Sequence, residues 1–349
     1  MRTRWMTILG LAIAAFLIWW LLRHEDPAEV WGHVRDANFG LLALAVLVTT
    51  AVFPLRAIRW RYFLAPAQPD SPFRSRFAAV CVGFMANNLL PARAGELARA
   101  YAYSRLEPVS TATALATLVV ERFLDGVVIL LLLVVALAHP DFPSGSLPDE
   151  LVAGVRGASL FLAVVLLVCL VLLTFPERSL RAARTVAHAL LPTRIAAALV
   201  TIAEHIVAGL ASMRGWRLLL PAFAWSLAVW TMQSLSFWVG FFAFGIDLPF
   251  AAALLANATV ALAVAVPSAP GYVGTFHTGA KLALTDIYGV AAASALGFAF
   301  GWHLGGFIPI TLMGLWYARR IGLSMRDLRG SARDATSSSR VHGRGQAVP

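Results

Sequence analysis

Apolar runs long enough to cross a bilayer alternate with short polar segments along nearly the whole chain. Residues 218–246 carry no charged side chain and residues 157–176 none, while residues 248–280 hold only His277 and residues 287–318 only His303. A spanning helix needs roughly 20 apolar residues. The pattern therefore predicts an all-α polytopic membrane protein, with full spans over about residues 5–22, 40–64, 111–138, 152–175, 218–244 and 290–317.

Two apolar runs do not fit a plain span. Residues 77–92 are uncharged but end in Asn87-Asn88 and Pro91, and Arg93, Glu96, Arg99 and Arg105 follow at once. Residues 250–267 break at Pro267, Pro270, Gly271 and Gly274, then continue over 276–288 with His277, Lys281 and Asp286. Proline removes a backbone donor and glycine lets the chain bend. Non-helical backbone at membrane depth is tolerated only against protein or a wet cavity. Each run is therefore predicted to form a Pro/Gly-broken re-entrant helical hairpin. Both breaks read P-x-x-x-G, as Pro91-Ala-Arg-Ala-Gly95 and Pro267-Ser-Ala-Pro-Gly271. The order span, span, hairpin, span occurs twice, which predicts two inverted repeats over about residues 1–138 and 152–318, with a binding site between them. These form one transmembrane domain over 1–320. Residues 321–349 are a basic tail, expected to be disordered.

Hydrophobic residues make up 59% of the 349 positions and charged residues 13%, which excludes a water-soluble enzyme, a disordered chain and a disulfide scaffold. The net charge of +10 could point to nucleic acid, but its placement points elsewhere. Residues 54–76 hold five Arg and one Asp, residues 176–217 six Arg and two Glu, and residues 319–349 seven Arg. Residues 23–39 hold four acids against two Arg, and residues 139–151 three acids and no Arg. This is the positive-inside pattern. It predicts a multi-pass membrane protein with both termini cytoplasmic and no nucleic-acid partner; the expected location is a bacterial inner membrane. The apolar start lacks an A-x-A cleavage site and ends in Trp19-Trp20, so it reads as a retained helix. The spacing of apolar residues around 195–210 suggests an amphipathic helix at the cytoplasmic interface. Cys81 and Cys169 lie in apolar runs without ligand neighbours, so no redox site, metal site or cofactor is expected.

Three polar clusters could carry chemistry. Asn87, Asn88, Arg93, Glu96 and Arg99 read either as an interfacial ladder of i,i+3 ion pairs or as a phosphate clamp, since planar Arg donors match phosphate bidentately. Glu121, Arg122 and Asp125 interrupt a span; Glu121 and Asp125 share a helix face, and Arg122 can pair with Asp125 at i,i+3. They read as a structural salt bridge or as part of a polar path, because an unpaired charge at mid-membrane costs roughly 2.5–3.5 kcal/mol. Pro270, Gly271, Gly274, His277 and Lys281 belong to the third cluster, where the bent backbone itself favours a ligand site. The run Arg56-Ala-Ile-Arg59-Trp60-Arg61-Tyr62 reads as a belt of snorkelling Arg and interfacial aromatics. Arg74 and Arg76 read as ordinary positive-inside charges, in contrast to Arg93 and Arg99 as phosphate donors. No G-x-S-x-G, H-E-x-x-H or P-loop occurs.

Taken in order, Arg56-x-x-Arg59-Trp60, Asn87-Asn88-Leu-Leu-Pro91-Ala-Arg93-Ala-Gly95-Glu96-x-x-Arg99, Glu121-Arg122-x-x-Asp125 and Pro267-x-x-Pro270-Gly271-x-x-Gly274-Thr-Phe276 resemble the transmembrane, flippase-like domain of lysylphosphatidylglycerol synthases, over about residues 1–320. The resemblance implies a domain that moves a lipid between leaflets. In two-domain members it carries aminoacylated phosphatidylglycerol outward, and a soluble domain performs the lysine transfer. Only residues 321–349 follow the last span here, so a stand-alone member that is not itself the enzyme is expected. The leading expectation is binding and translocation of a phospholipid or polyprenyl-linked head group, with membrane phospholipids as partners. The alternatives are a membrane-embedded lipid-modifying transferase and a non-transporting accessory subunit. A homodimer and a membrane lipid-synthesis enzyme are the further partner expectations.

The charge asymmetry sets a test. With Cys81 and Cys169 replaced, a single cysteine at position 145 is expected to react with an impermeant maleimide from the outer face. Labelling there from the cytoplasmic face only would overturn the topology.

Overall fold

The computed structural model describes residues 15–23, 25–90, 94–143, 216–265 and 269–324 as continuous stretches, with scattered positions between 157 and 200. The first half of the expected span at 5–22, most of the span at 152–175 and of the amphipathic stretch at 195–210, Pro91, Arg93, Pro267 and nearly all of the basic tail lie outside them. Every regular element among the described residues is helical.

The polar loop at 23–39 contains a short helix, α1 (Pro27–Arg35). Asp26 caps it by accepting from Ala28 N at 2.8 Å, and Pro27 sits at the first helical position, where its missing N–H costs nothing. A long helix, α2 (Phe39–Leu64), follows, capped by Asn38. The first broken run folds as α3 (Phe73–Leu89) and α4 (Gly95–Leu106). α3 stops because Leu90 precedes a proline, which drives it to extended backbone at φ −113° and ψ 144°. Helix α5 (Thr111–Leu137) starts at a Ser110 cap that accepts from Thr113 N at 3.0 Å. In the second half, α6 (Trp216–Ala243) precedes the second broken run. That run folds as α7 (Phe250–Ala265), a 3-10 turn over Pro270–Tyr272, and α8 (Thr275–Lys281), which runs on into a π-helical segment, Leu282–Ile287. The last long helix is α9 (Ala292–Arg320). Helices α2, α6 and α9 are long and apolar enough to cross a membrane. Helix α5 has the length, but it carries Glu121, Arg122 and Asp125.

Each broken run is a hairpin of two helices in close contact. Glycine makes the closeness possible. A Cβ on Gly83 would lie 2.7 Å from Arg99 Cβ, and a Cβ on Gly279 would lie 2.8 Å from Val260 Cα. The backbone turn of the first hairpin is tied by Gly95 N, which donates to Asn87 Oδ1 at 2.8 Å.

The packing has an internal symmetry. α2 packs on α3, α3 on α4 and α4 on α5; α6 packs on α7, α7 on α8 and α8 on α9. Across the two sets, α3 packs on α9 as α7 packs on α5, and α2 packs on α9 as α6 packs on α5. Helices α2 and α6 lie against each other and run antiparallel, as three cross-contacts establish: Ala45 with Ser236, Thr49 with Gln233, and Arg59 with Ser226. The hairpins open toward opposite ends. The base of α3–α4 sits beside the end of α2, where Gln68 donates to Glu107 at 2.8 Å and accepts from Tyr103 at 2.6 Å. The base of α7–α8 sits by the other end, where Asn38 N donates to Ala243 O and Trp238 Nε1 to Leu248 O. Their tips meet between, where a Cβ on Gly271 would lie 2.8 Å from the Phe307 ring and 3.4 Å from Asn88 O.

Two sequence expectations change. The Arg56–Tyr62 run is not a belt: Arg56, Arg59 and Trp60 are buried, and only Arg61 is exposed. Residues 56, 59 and 60 share the helix face turned toward α5 and α6, while 61 lies on the other side. Arg76 is not an ordinary positive-inside charge either. It is buried, its Nε donates to Ala57 O at 2.8 Å and its Nη1 to Ser71 Oγ at 2.6 Å, so it ties the start of α3 to α2. Arg74 is exposed as expected.

The close contact of α7 and α8 leads to a stability prediction. Gly279→Ala is expected to cost about 1–3 kcal/mol by overpacking. Gly32→Ala, on α1 with nothing within 4 Å of the new Cβ, is expected to cost nothing. Thermal unfolding in detergent reads both, and equal melting would mean the hairpin is not closely packed.

Candidate functional site

The four buried positions Arg59, Arg99, Glu121 and Asp125 converge from three helices on one point. Arg59 of α2 reaches Glu121 Oε1 at 2.8 Å, pairs with Asp125, and donates to Ser226 Oγ of α6 at 3.1 Å. Arg99 of α4 forms a two-pronged pair with Glu121, Nη1 to Oε1 at 2.8 Å and Nη2 to Oε2 at 3.0 Å. Its guanidinium lies 3.9 Å from the centre of the Trp60 ring. Arg122 takes both acids, at 2.7 Å to Glu121 and 2.9 Å to Asp125, so the i,i+3 pair forms. Trp230 Nε1 of α6 completes Asp125 at 2.8 Å. Such geometry satisfies the lone pairs that a buried carboxylate must fill.

Arg56 stands apart. Its side chain is buried, yet Nε and Nη1 have no hydrogen-bond partner. It lies between the rings of Phe84 and Trp230, 5.1 and 5.4 Å from their centres. With Arg56, four guanidinium groups gather around Glu121 and Asp125. Glu96, half-buried at the rim, raises the acids to three and leaves a surplus of one positive charge.

This cluster walls a cavity of about 570 Å³ at the junction of the two hairpins. Arg56, Asn87, Glu96, Arg99, Arg122 and Asp125 supply its polar side, and Ala261, Val264 and Tyr272 close it from the second hairpin. A smaller cavity of about 190 Å³ adjoins it, sharing Arg56, Phe84, Trp230 and Tyr272, and extends to Asn88, Gln233, Asn257 and His303. Tyr272 holds φ at 59°, a left-handed value that a side chain rarely adopts, at the point where both cavities need its ring.

The sequence-predicted residues divide between this site and structural work. Glu96, Arg99, Glu121, Arg122 and Asp125 come together. Arg99 pairs with Glu121, so the expected Glu96–Arg99 rung is replaced by a pair between helices. Asn87 is held by Gly95 N, and Asn88 donates to Thr311 Oγ1 at 2.8 Å. Arg93 lies outside the described residues. Pro270 and Gly271 form the tip of the second hairpin, and Gly274, at φ 90°, starts α8 with its N–H given to His277 Nδ1. His277 packs against Phe300 and His303 and lines a separate, mostly apolar cavity of about 510 Å³ beside α1. Lys281 faces Glu25 at 3.9 Å. Neither His277 nor Lys281 reaches the arginine cluster. Sequence reasoning missed Arg56, Arg59, Trp60 and Trp230 as site residues. The i, i+3, i+4 spacing of 56, 59 and 60 was the available signal for the first three.

The pairing defines a second stability prediction. Glu121→Gln is expected to cost about 3–5 kcal/mol, because three guanidinium groups lose a shared buried acceptor. Glu96→Gln, at the half-buried rim, is expected to cost well under that. Thermal unfolding of the two variants checks it; a Glu121→Gln protein as stable as the parent would make the pairing incidental.

Comparison with known proteins places this architecture. Residues 7–314 match the family described as lysylphosphatidylglycerol synthase TM region. The chain is 26% identical over 317 residues to a UPF0104 membrane protein of Methanothermobacter thermautotrophicus, covering 87% of this chain and 89% of that protein. It is also 26% identical over 321 residues to glycosyltransferase AglD of Haloferax volcanii, covering 85% of this chain but 51% of that protein, so it spans about half the length of that relative. A shorter match, 31% over 97 residues, links it to a UPF0104 membrane protein of Methanocaldococcus jannaschii, covering 27% of this chain and 29% of that protein. With an all-helical fold, apolar spanning helices and a match over nearly its whole length, the chain belongs to the lysylphosphatidylglycerol synthase transmembrane-region family.

Proposed function

We propose that this membrane protein binds the phosphate-bearing head group of a lipid in the cavity between its two hairpins and passes it between leaflets. The observation that carries this reading is the placement of that cavity, about 570 Å³ with a cationic wall, among helices whose outward faces are apolar. A head group cannot cross hydrocarbon without losing its hydration. A polar cavity lets it cross while the acyl chains stay in lipid. The hairpins are then re-entrant elements of two inverted repeats, and the antiparallel α2–α6 pair is the axis about which the halves rock. The positive-inside pattern puts the base of α3–α4 on the cytoplasmic side. Arg93, following directly on the first break, is an additional donor to phosphate.

A second reading is a membrane-embedded lipid-modifying transferase, because one relative is named a glycosyltransferase. The geometry favours it less. Guanidinium and indole N–H groups already occupy the oxygens of Glu121 and Asp125, so only Glu96 at the rim is left to act as base.

Reconstitution decides between them. Purified protein in liposomes with acyl-labelled phosphatidylglycerol is expected to expose inner-leaflet label to dithionite several-fold faster than protein-free vesicles, with the lipid chemically unchanged. An unchanged exchange rate would overturn translocation, and a modified lipid would favour the transferase.

A further inference from the structure

Among the described arginines of the cluster, Arg56 is the one that forms no ion pair with a carboxylate. Among the cluster's arginines, Arg59, Arg99 and Arg122 each reach a carboxylate within hydrogen-bond distance. Arg56 has no such partner at Nε or Nη1, although its side chain is only 5% exposed. Arginine does not escape burial by losing its proton. The rings of Phe84 and Trp230 offset part of the cost through their π faces, but a ring supplies no lone pair along a guanidinium N–H. A buried, permanently charged fork with open donors is built to meet an anion with paired oxygens.

Its position defines what that anion carries. Arg56 lines both the large cavity and the small one, at the neck between them. It lies eight residues from the end of α2, about 12 Å along the axis. On the far side of the neck, the small cavity presents Thr49, Asn88, Gln233, Asn257 and His303, and none of its lining residues is a carboxylate. On the near side, Asp125 is already taken by Arg59, Arg122 and Trp230. A head group bearing an ammonium would find an acid only at the Glu96 rim, while the hydroxyls of an uncharged head would meet the amide carbonyl oxygens of Asn88, Gln233 and Asn257, whose N–H groups are given to Thr311, Thr49, Trp230 and Ser234. We propose that Arg56 is the phosphate ligand of the site, and that the site selects an anionic lipid phosphodiester with an uncharged, hydroxyl-bearing head over zwitterionic and cationic lipids. This rests on the lipid reading above and adds its substrate class and the residue that sets it.

The proposal predicts opposite effects on stability and on binding, which a structural role for Arg56 would not produce. The full chain in neutral detergent is titrated with phosphatidylglycerol, phosphatidylcholine, lysyl-phosphatidylglycerol and inorganic phosphate, with melting temperature and labelled-lipid binding as readouts. Without lipid, Arg56→Met is expected to melt at or above the parent, because an unpaired buried charge is gone. Phosphatidylglycerol is expected to raise the melting temperature of the parent but not of Arg56→Met, with affinity falling about tenfold to a hundredfold. Arg56→Lys keeps the charge without the fork and is expected to fall between them. Arg74→Met, on the exposed surface, is expected to match the parent. If the parent binds no lipid, the lipid reading itself fails. If the parent binds phosphatidylglycerol and Arg56→Met binds it equally, that reading stands and the role of Arg56 is overturned. Destabilised Arg56→Met that still gains fully from lipid would make Arg56 structural. Equal binding of phosphatidylcholine or lysyl-phosphatidylglycerol would overturn the substrate class, and competition by millimolar inorganic phosphate would make this a site for a soluble anion.

Discussion

A charge that must sit inside an apolar medium has to find its counter-charge within the protein, and this fold is organised around that requirement. Glu121 and Asp125 stand on α5, one turn apart, and draw Arg59 from α2, Arg99 from α4 and Trp230 from α6. Four elements that are separate in sequence are thereby fixed at one level. The hydrophobic core is divided at the same level: one cluster fills the space around α3, α4 and the end of α2, and the other fills the space around α6, α7 and α9. The ion pairs lie where the two clusters meet. Buried ion pairs are weak evidence of added stability. What they supply here is a fixed arrangement, since any slip of α5 against α2 would strand several charges at once.

Much of this was readable from the residues. The runs at 77–92 and 250–267 each end one helix, α3 and α7, because proline ends a helix at the residue before it, and glycine allows the close return of the helix that follows, α4 or α8. The charged triad within residues 111–138 had to face inward, because three charges facing lipid would be too costly. The Arg56–Tyr62 run was misread because an arginine near the end of a long helix is usually a snorkelling one. The partners that pull Arg59 inward lie 62 and 66 residues away, and no local pattern carries that information. The third cluster is divided in space. Gly271 and Gly274 do bend the chain, at φ 67° and 90°, but the bend shapes the meeting of the hairpins. It turns His277 toward α9 and leaves Lys281 beside Glu25, away from the arginines. Helix α1 is legible in Asp26-Pro27, a cap followed by a proline at the first helical position.

Membership of the family fixes the scaffold and leaves the chemistry to the cavity walls. One relative matches along most of its length, and another contains a comparable stretch within a chain about twice as long. The same transmembrane unit therefore occurs both along most of one relative and as about half of a longer one.

The packing symmetry is not matched by symmetry of composition. Exchange of the two helix sets carries α4 onto α8 and α5 onto α9. The α4–α5 interface holds Arg99 against Glu121, and the corresponding α8–α9 interface holds His277 against Phe300 and His303. One side of the molecule holds fixed charge, and the other holds imidazole and aromatic rings beside a mostly apolar cavity. On the proposed lipid reading, an anion moving between them would leave a strong electrostatic well for a shallow one. The helices on the two sides are arranged alike, whereas their lining is polarised, so the two sides differ in their affinity for an anion.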